Sequence, residues 1–181
     1  SDSEVSTITL TITPINDAPV SSAVSASTNE DTAKTITLSA TDVDTGDTLT
    51  YSVVATNDGS VSISGATATY TPDSNWNGTD TFTYKANDGT ADGNTATVTV
   101  TVAAVNDAPV SSAVSASTDE DVAKAITLSA TDVEGSSLTY SIVSDVSNGS
   151  TSLSGSTVTY TPTANWNGTD TFTYKANDGT V

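Results

Sequence analysis

The sequence predicts an all-β chain, built as tandem seven-stranded Greek-key β-sandwiches joined end to end by short rigid linkers. Three observations predict it. Apolar residues and threonines alternate with a period of two rather than 3.6, as strands with one buried face require. Clusters of Gly, Asn and Asp separate these runs, where turns belong. The chain also repeats itself at an offset of 90 residues, enough for one sandwich of ordinary size.

The repeat is anchored by a pentapeptide, Asn16-Asp17-Ala18-Pro19-Val20, which recurs as Asn106-Asp107-Ala108-Pro109-Val110. Proline holds φ at about −65° and withholds an amide, so each copy reads as an extended, stiff joint. Residues 21–28 return unchanged as 111–118, and 75–90 return unchanged as 165–180. Between those blocks the register slips, since Tyr51 answers Tyr140 at an offset of 89 and Gly59 answers Gly149 at 90. Indels of one residue belong in loops. Turns are therefore expected at 44–48 and around 56–59. The joints divide the chain into a complete repeat at 16–105 and a second repeat at 106–181, preceded by residues 1–15.

Seven strands are expected in each repeat, at 20–24, 35–40, 49–53, 61–63, 66–70, 81–86 and 95–102 in the first. An odd number delivers the chain to the pole opposite its entry, so such domains string into a rod. The alternation places Ile36, Leu38, Ala40, Leu49, Tyr51, Val53, Phe82, Tyr84, Ala86, Val98 and Val100 in the core, those up to Ala86 with counterparts 89 or 90 residues on. Trp76 and Trp166 stand in Asn-Trp-Asn-Gly turns. Each is expected to plug the end of its sandwich, the competing role being a platform on which a sugar stacks.

Charge and composition exclude several functions. A net charge of −18 with four Lys and Arg excludes nucleic acid and disfavours anionic membrane surfaces. The chain contains neither Cys nor His, which removes disulfides, the usual zinc sites and His- or Cys-based catalysis. No apolar run approaches the ~18 residues of a membrane span, so no membrane insertion is expected.

The acids recur at fixed places in both repeats: Glu30 and Glu120, Asp42 and Asp132, Asp44 and Glu134, Asp80 and Asp170, Asp88 and Asp178, with the Asn-Asp of each joint. Asp42 and Asp44 are two apart, so on a straight strand they face opposite ways. Both serve one ion only where the strand ends and bends, and Thr45-Gly46-Asp47 supplies the bend. Hard oxygen ligands drawn from several loops at one pole suit Ca²⁺, which takes about six to eight. Solvated acids in turns are the alternative.

The order Ala40-Thr41-Asp42-Val43-Asp44-Thr45-Gly46, then Tyr84-Lys85-Ala86-Asn87-Asp88-Gly89, then Asn106-Asp107-Ala108-Pro109 resembles the cadherin repeat. More closely, it is similar to the cadherin-like repeats, of the broader cadherin/Ig-like sandwich kind, found in tandem in very large bacterial surface adhesins. The resemblance implies Ca²⁺ held at each junction. At the first joint it implies Asn16, Asp17, Asp42, Asp44 and Asp88 as ligands. At the central joint it implies Glu30, Asn106, Asp107, Asp132, Glu134 and Asp178. Asp80 is the nearest match to an acidic pair the family places before its sixth strand, which brings in Asp170, and Glu120 answers Glu30. Animal cadherins carry a further Asp two residues before the Asn, where this chain has Pro14 and Ala104. Fewer ions are therefore implied, one or two per junction, with dissociation constants of about 10⁻⁴ to 10⁻³ M.

The function expected is a non-catalytic, calcium-stiffened stalk or filament segment of a secreted or cell-surface bacterial protein. Its partners are neighbouring copies of the repeat, head to tail, with any glycan or protein partner reached through other parts of the parent chain. A carbohydrate- or protein-binding tip module and a strand-donating fibre subunit are the alternatives. The last arises because residues 1–15 match 91–105, with Ile8, Leu10 and Ile12 in the places of Val98, Val100 and Val102. Residues 1–15 thus read as the seventh strand of a preceding or neighbouring repeat, and the repeat at 106–181 as lacking its own.

Overall fold

Strand-forming Thr, Val, Ile and Tyr alternate between face and solvent wherever the computed structural model forms a sheet, and it describes every residue except Asp2, Asn57 and Val181. Asn57, in the turn expected at 56–59, and Val181, where a further strand is expected to begin, lie outside the described residues. The described residues form sixteen strands and no helix. The chain divides into two units, Ser1–Ala104 and Val105–Val181.

In unit 1 the strands are β1 (Val20–Ser21), β2 (Val24–Asn29), β3 (Lys34–Thr37), β4 (Ala40–Thr41), β5 (Thr50–Thr56), β6 (Ser60–Ser64), β7 (Thr67–Thr71), β8 (Gly78–Asn87) and β9 (Ala96–Ala103). One sheet has the order β2-β9-β8-β5, a second β3-β7-β6, and β1 pairs with β4. The seven expected strands are present, but the first two are each divided. The chain pairs with β4 through Ser21, crosses at residues 22–23 and joins β9 from Val24. The β2–β9 ladder is parallel, whereas β8 meets β9 antiparallel.

The core of unit 1 gathers Ile36, Leu38, Ala68, Tyr70, Phe82, Tyr84, Ala96, Val98, Val100 and Val102. Of the predicted core, Ala40, Leu49, Tyr51 and Val53 are only half-buried. Tyr51 and Val53 lie on β5, a sheet edge in the order above, with Leu49 just before it, and Ala40 lies on the two-residue β4. Tyr84 locks the layers, because its hydroxyl donates to the Ser22 carbonyl at 2.6 Å and the Ser39 carbonyl at 2.8 Å and accepts from the Ser39 amide at 3.2 Å.

Unit 2 holds β10 (Val110–Ser111), β11 (Lys124–Thr127), β12 (Ala130–Thr131), β13 (Thr139–Ser144), β14 (Gly149–Ser154), β15 (Thr157–Pro162) and β16 (Thr173–Asn177). Its described residues contain no counterpart of β9, and two identical sequences respond to that. Residues 114–118 repeat 24–28, yet they form no strand and are exposed. Residues 168–177 repeat 78–87, yet only Thr173–Asn177 is strand. A strand is a paired object: without a ladder to complete, the same residues leave their amides to water. The buried apolar positions shrink accordingly, to Leu128 and Val158.

Residues 3–15 of the first unit form no strand either. Ile8, Leu10 and Ile12 are 91%, 81% and 85% exposed.

Candidate metal centre

The joint is held where its Asn and Asp meet two strand ends. Pairing of β1 with β4 fixes Val20 against Thr41 and Ser21 against Ala40. The Ser21 amide donates to Asn94 Oδ1 at 2.8 Å, and Ser21 Oγ accepts the Ala86 amide at 3.1 Å. Pro19 is buried, and its carbonyl passes so close to Gly93 that a Cβ there would stand 2.1 Å away. The extended peptide before Pro19 thereby runs past the loop after β4 and the loop after β8.

Asn16 Nδ2 donates to Asp88 Oδ2 at 3.0 Å, and the Asp17 amide donates to Asp44 Oδ2 at 2.7 Å. The Asp44 amide in turn donates to Asp42 Oδ1 at 2.9 Å. Asp88 Oδ1 accepts the amides of Thr90 and Ala91 at 2.6 and 2.7 Å. The Ala91 amide, and after it the Asn16 side chain, hold the Asp88 carboxyl below the usual aspartate range. All five residues expected at the first joint are therefore brought together. Carboxylate oxygens of Asp42, Asp44 and Asp47 lie within 4.8 Å of one another.

The second repeat rebuilds the pattern. Asn106 Nδ2 donates to Asp178 Oδ2 at 2.6 Å, and the Asp107 amide to Glu134 Oε2 at 3.3 Å. Asp132 Oδ1 accepts the Ser136 amide at 2.9 Å. In each repeat one oxygen is left over: Oδ2 of Asp42 and Oδ2 of Asp132 are buried without a hydrogen-bond partner. A buried carboxylate oxygen without a donor is costly. That cost, at equivalent positions in two repeats, fits a cation held by hard oxygen ligands.

Asp47 was not singled out as a ligand from the sequence. Its signal is a third acid three residues past Asp44, beyond Gly46 at φ 103°, which turns the chain back. The second repeat has lost a residue from this loop and places Ser136 there instead.

The remaining acids expected as ligands are Asp80 and Asp170, Glu30 and Glu120. Asp80 is the third residue of β8 and Asp88 follows its end, about 26 Å away along an extended strand. Asp80 is 3% exposed and accepts the Tyr70 hydroxyl at 2.8 Å, the Asp58 amide at 3.3 Å and the Thr81 amide at 2.6 Å. Burial first, and then Asp80, push the Tyr70 phenol well above its ordinary value. Asp170 repeats this with Tyr160 and the amides of Ser147, Asn148 and Thr171. These carboxylates pin the opposite end of each sandwich. Glu30 is buried past the end of β2, where its amide donates to the Ala103 carbonyl at 2.9 Å. Its counterpart Glu120 is exposed. Trp76 packs on the core cluster, as the plug expected of it.

The bacterial Ig domain family model matches residues 16–101 and again 106–181. The chain belongs to the bacterial Ig domain family. The boundaries of both Ig repeats begin at the Asn of a joint. No curated protein matches the chain. Among solved structures, the Ig repeats are similar to protocadherin gamma B2 extracellular cadherin domains 3–6, 19% identical over 93% of this chain and 49% of that one, with a TM-score of 0.47. The protocadherin gamma B4 extracellular domain is 17% identical over 90% of this chain and 32% of that one, with a TM-score of 0.46. An endo-fucoidan hydrolase from glycoside hydrolase family 107 is 23% identical over 91% of this chain and 27% of that one, with a TM-score of 0.42. The chain thus spans less than half the length of each, and at these scores the likeness carries no functional argument.

Proposed function

We propose that this chain is a structural, non-catalytic segment of a bacterial surface or secreted protein, in which each Ig repeat binds Ca²⁺ at its joint. The observation that carries the reading is the pair of buried, unpartnered oxygens, Asp42 Oδ2 and Asp132 Oδ2. In the first repeat the residues that would hold the ion are Asp42, Asp44 and Asp47, with Asn16, Asp17 and Asp88 around them. In the second they are Asp132 and Glu134, with Asn106, Asp107 and Asp178. Ca²⁺ would supply positive charge beside Asp42, Asp44 and Asp47, none of which takes part in the Lys85–Asp92 ion pair.

The residues themselves already tie joint to sandwich. Asn16 spans to the loop after β8, while the Asp17 amide spans to the loop after β4. Like charges gathered in one place strain that arrangement. Neutralising them tightens the joint, and a stiff joint is what a stalk segment requires. The net charge of −18, the absence of Cys and the copied modules suit an extracellular setting where Ca²⁺ is plentiful.

The test is thermal unfolding of the full chain in EDTA, in Ca²⁺ and in NaCl of matched ionic strength. With a dissociation constant of about 10⁻⁴ M, 10 mM Ca²⁺ stabilises a repeat by about 2.7 kcal/mol, a shift of several degrees or more. Asp42→Asn is expected to abolish the first repeat's response and to leave the second repeat's intact. Small-angle scattering is expected to show both sandwiches folded in EDTA, with a changed maximum dimension. A Ca²⁺ response no larger than that of NaCl would sink the metal reading.

A further inference from the structure

At residue 148 the two repeats differ inside an otherwise copied arrangement. In unit 1 the Tyr70 hydroxyl donates to the Asp58 carbonyl at 2.9 Å, and in unit 2 the Tyr160 hydroxyl donates to the Asn148 carbonyl at 3.1 Å. A glycine follows in both, Gly59 and Gly149, and packing demands it. A Cβ at Gly149 would stand 2.5 Å from the Thr161 carbonyl oxygen and 2.8 Å from the Tyr160 ring, and one at Gly59 would stand 2.6 Å from the Thr71 carbonyl oxygen. The fold thus fixes a glycine after residue 148, and the second repeat sets an asparagine before it. At an Asn-Gly step the side-chain amide is open to attack by the next backbone nitrogen, because glycine has no side chain to hinder the approach.

The peptide between Asn148 and Gly149 is set up for that attack. The Thr163 amide donates to the Asn148 carbonyl at 3.1 Å across the Gly149–Pro162 pair, which marks the pair as one that exchanges no bonds of its own, so the Gly149 amide points away from β15. β14 is the outer strand of its sheet, and no described residue accepts from that amide or bonds the Asn148 side chain. The Asn148 carbonyl meanwhile takes two donors, the Tyr160 hydroxyl and the Thr163 amide. Because the peptide is delocalised, donors on its oxygen draw electron density from its nitrogen and make the Gly149 N–H more acidic. That proton must leave for the nitrogen to attack. Desolvation first, and then Asp170, hold the Tyr160 phenol above its ordinary value, so it stays a donor. Comparable steps elsewhere are closed, since the Gly89 amide donates to Asn87 Oδ1 at 2.7 Å and the Gly93 amide to the Ala86 carbonyl at 2.8 Å.

We propose that Asn148 is a self-modifying site, at which the Gly149 nitrogen closes on the Asn148 side chain and its amide is converted to a carboxylate. The bond from the Gly149 nitrogen to Asn148 Cγ forms as the Cγ–Nδ2 bond breaks, and ammonia leaves with the proton shed by the Gly149 amide. Water then opens the succinimide at either of its C–N bonds, giving aspartate or isoaspartate. Overall an amide and a water become a carboxylic acid and ammonia, with no change of oxidation state. Aspartate is the residue that the first repeat already carries there, as Asp58, so this product fits the fold. Isoaspartate lengthens the main chain by one atom where β14 begins. The proposal is independent of the metal reading, since none of its residues belongs to the carboxylate clusters at the joints.

The test is to incubate the folded 181-residue chain and map it with chymotrypsin. Cleavage after Tyr140 and Tyr160 releases residues 141–160, in which Asn148 is the sole asparagine. Mass spectrometry separates amide from acid in that fragment, and an isoaspartyl methyltransferase labels the isomerised share. The fragment from the folded chain is expected to acquire the acid at least as fast as a synthetic 141–160 peptide, whereas Asn148→Gln is expected to keep its amide. Tyr160→Phe is expected to slow the conversion about fivefold, the weight of one neutral hydrogen bond. Mere looseness at the turn would quicken it instead. Should that variant unfold, the wild-type chain in urea loses the same donors and is likewise expected to convert more slowly than the folded chain. An amide retained in the folded chain while the free peptide converts would overturn the proposal, as would faster conversion in Tyr160→Phe or in urea.

Discussion

Removing the Tyr84 hydroxyl offers a test in which the chain supplies its own control. Tyr84 is 0% exposed, and its hydroxyl bridges Ser22 and Ser39. Tyr174 makes the same three bonds to Ser112 and Ser129, but in surroundings open to solvent. Tyr84→Phe takes the hydroxyl donor from the part-buried Ser22 carbonyl and leaves the Ser39 carbonyl with the Ser22 amide alone, at a cost of about 1–3 kcal/mol. In Tyr174→Phe water replaces the hydroxyl, and the cost falls below about 1 kcal/mol. For a unit of this size each kcal/mol lowers the melting temperature by about 4–8 °C. Hydrogen exchange read by mass spectrometry assigns the effect to a unit, provided that the peptides differ between repeats. Residues 75–90 are useless for this, being identical to 165–180. Residues 50–56 and 139–144 differ in sequence and pair with the strands that carry the two tyrosines. Tyr84→Phe is expected to lower protection at 50–56 by roughly five- to 150-fold. Equal losses in the two units, or a loss below threefold at 50–56, would refute the burial argument.

Two further outcomes follow from the joint. Gly93→Ala puts a Cβ 2.1 Å from the Pro19 carbonyl, so the joint must recede by about 1 Å, at about 1–3 kcal/mol. Thermal unfolding is expected to show unit 1 destabilised and its Ca²⁺ response weakened, with unit 2 unchanged. The Asp88 carboxyl is held below its ordinary value of 3.8, so it favours the folded chain above that pH and loses this effect as pH falls through the folded value. In EDTA, chemical denaturation is expected to find wild type more stable than Asp88→Asn at pH 6, with the difference closing below pH 3.8. A difference that does not change with pH would remove the charge from the account.

The period of two and the 90-residue offset made the strand count and the repeat legible, because alternation and copying are properties of the sequence alone. The partition of residues 20–29 between two ladders was not legible. Ser22 and Ala23 look like the residues beside them, and the crossing is decided by what lies opposite, β4 on one side and β9 on the other. Residues 114–118 make the point directly, since the same letters that form β2 form nothing without β9. Within the candidate site, Asn16, Asp17, Asp42, Asp44 and Asp88 were readable because they sit at strand ends that must share a pole. Asp80 was misleading because it too sits at a strand end, the other one. Its partner Tyr70 occupies a strand whose alternation, Ala68 then Tyr70, is too short to stand out.

The parallel β2–β9 ladder has a mechanical meaning. It joins six facing pairs, from Val24 with Val98 to Asn29 with Ala103. Tension in a tethered chain enters this unit ahead of β2 and leaves after β9. Because the two strands run the same way, that tension slides one along the other and loads the whole row of hydrogen bonds at once. A hairpin pulled at its open end would instead peel one bond at a time. A repeat wired in this manner yields only when the ladder fails together, so it bears a pull far better than its modest core alone would suggest.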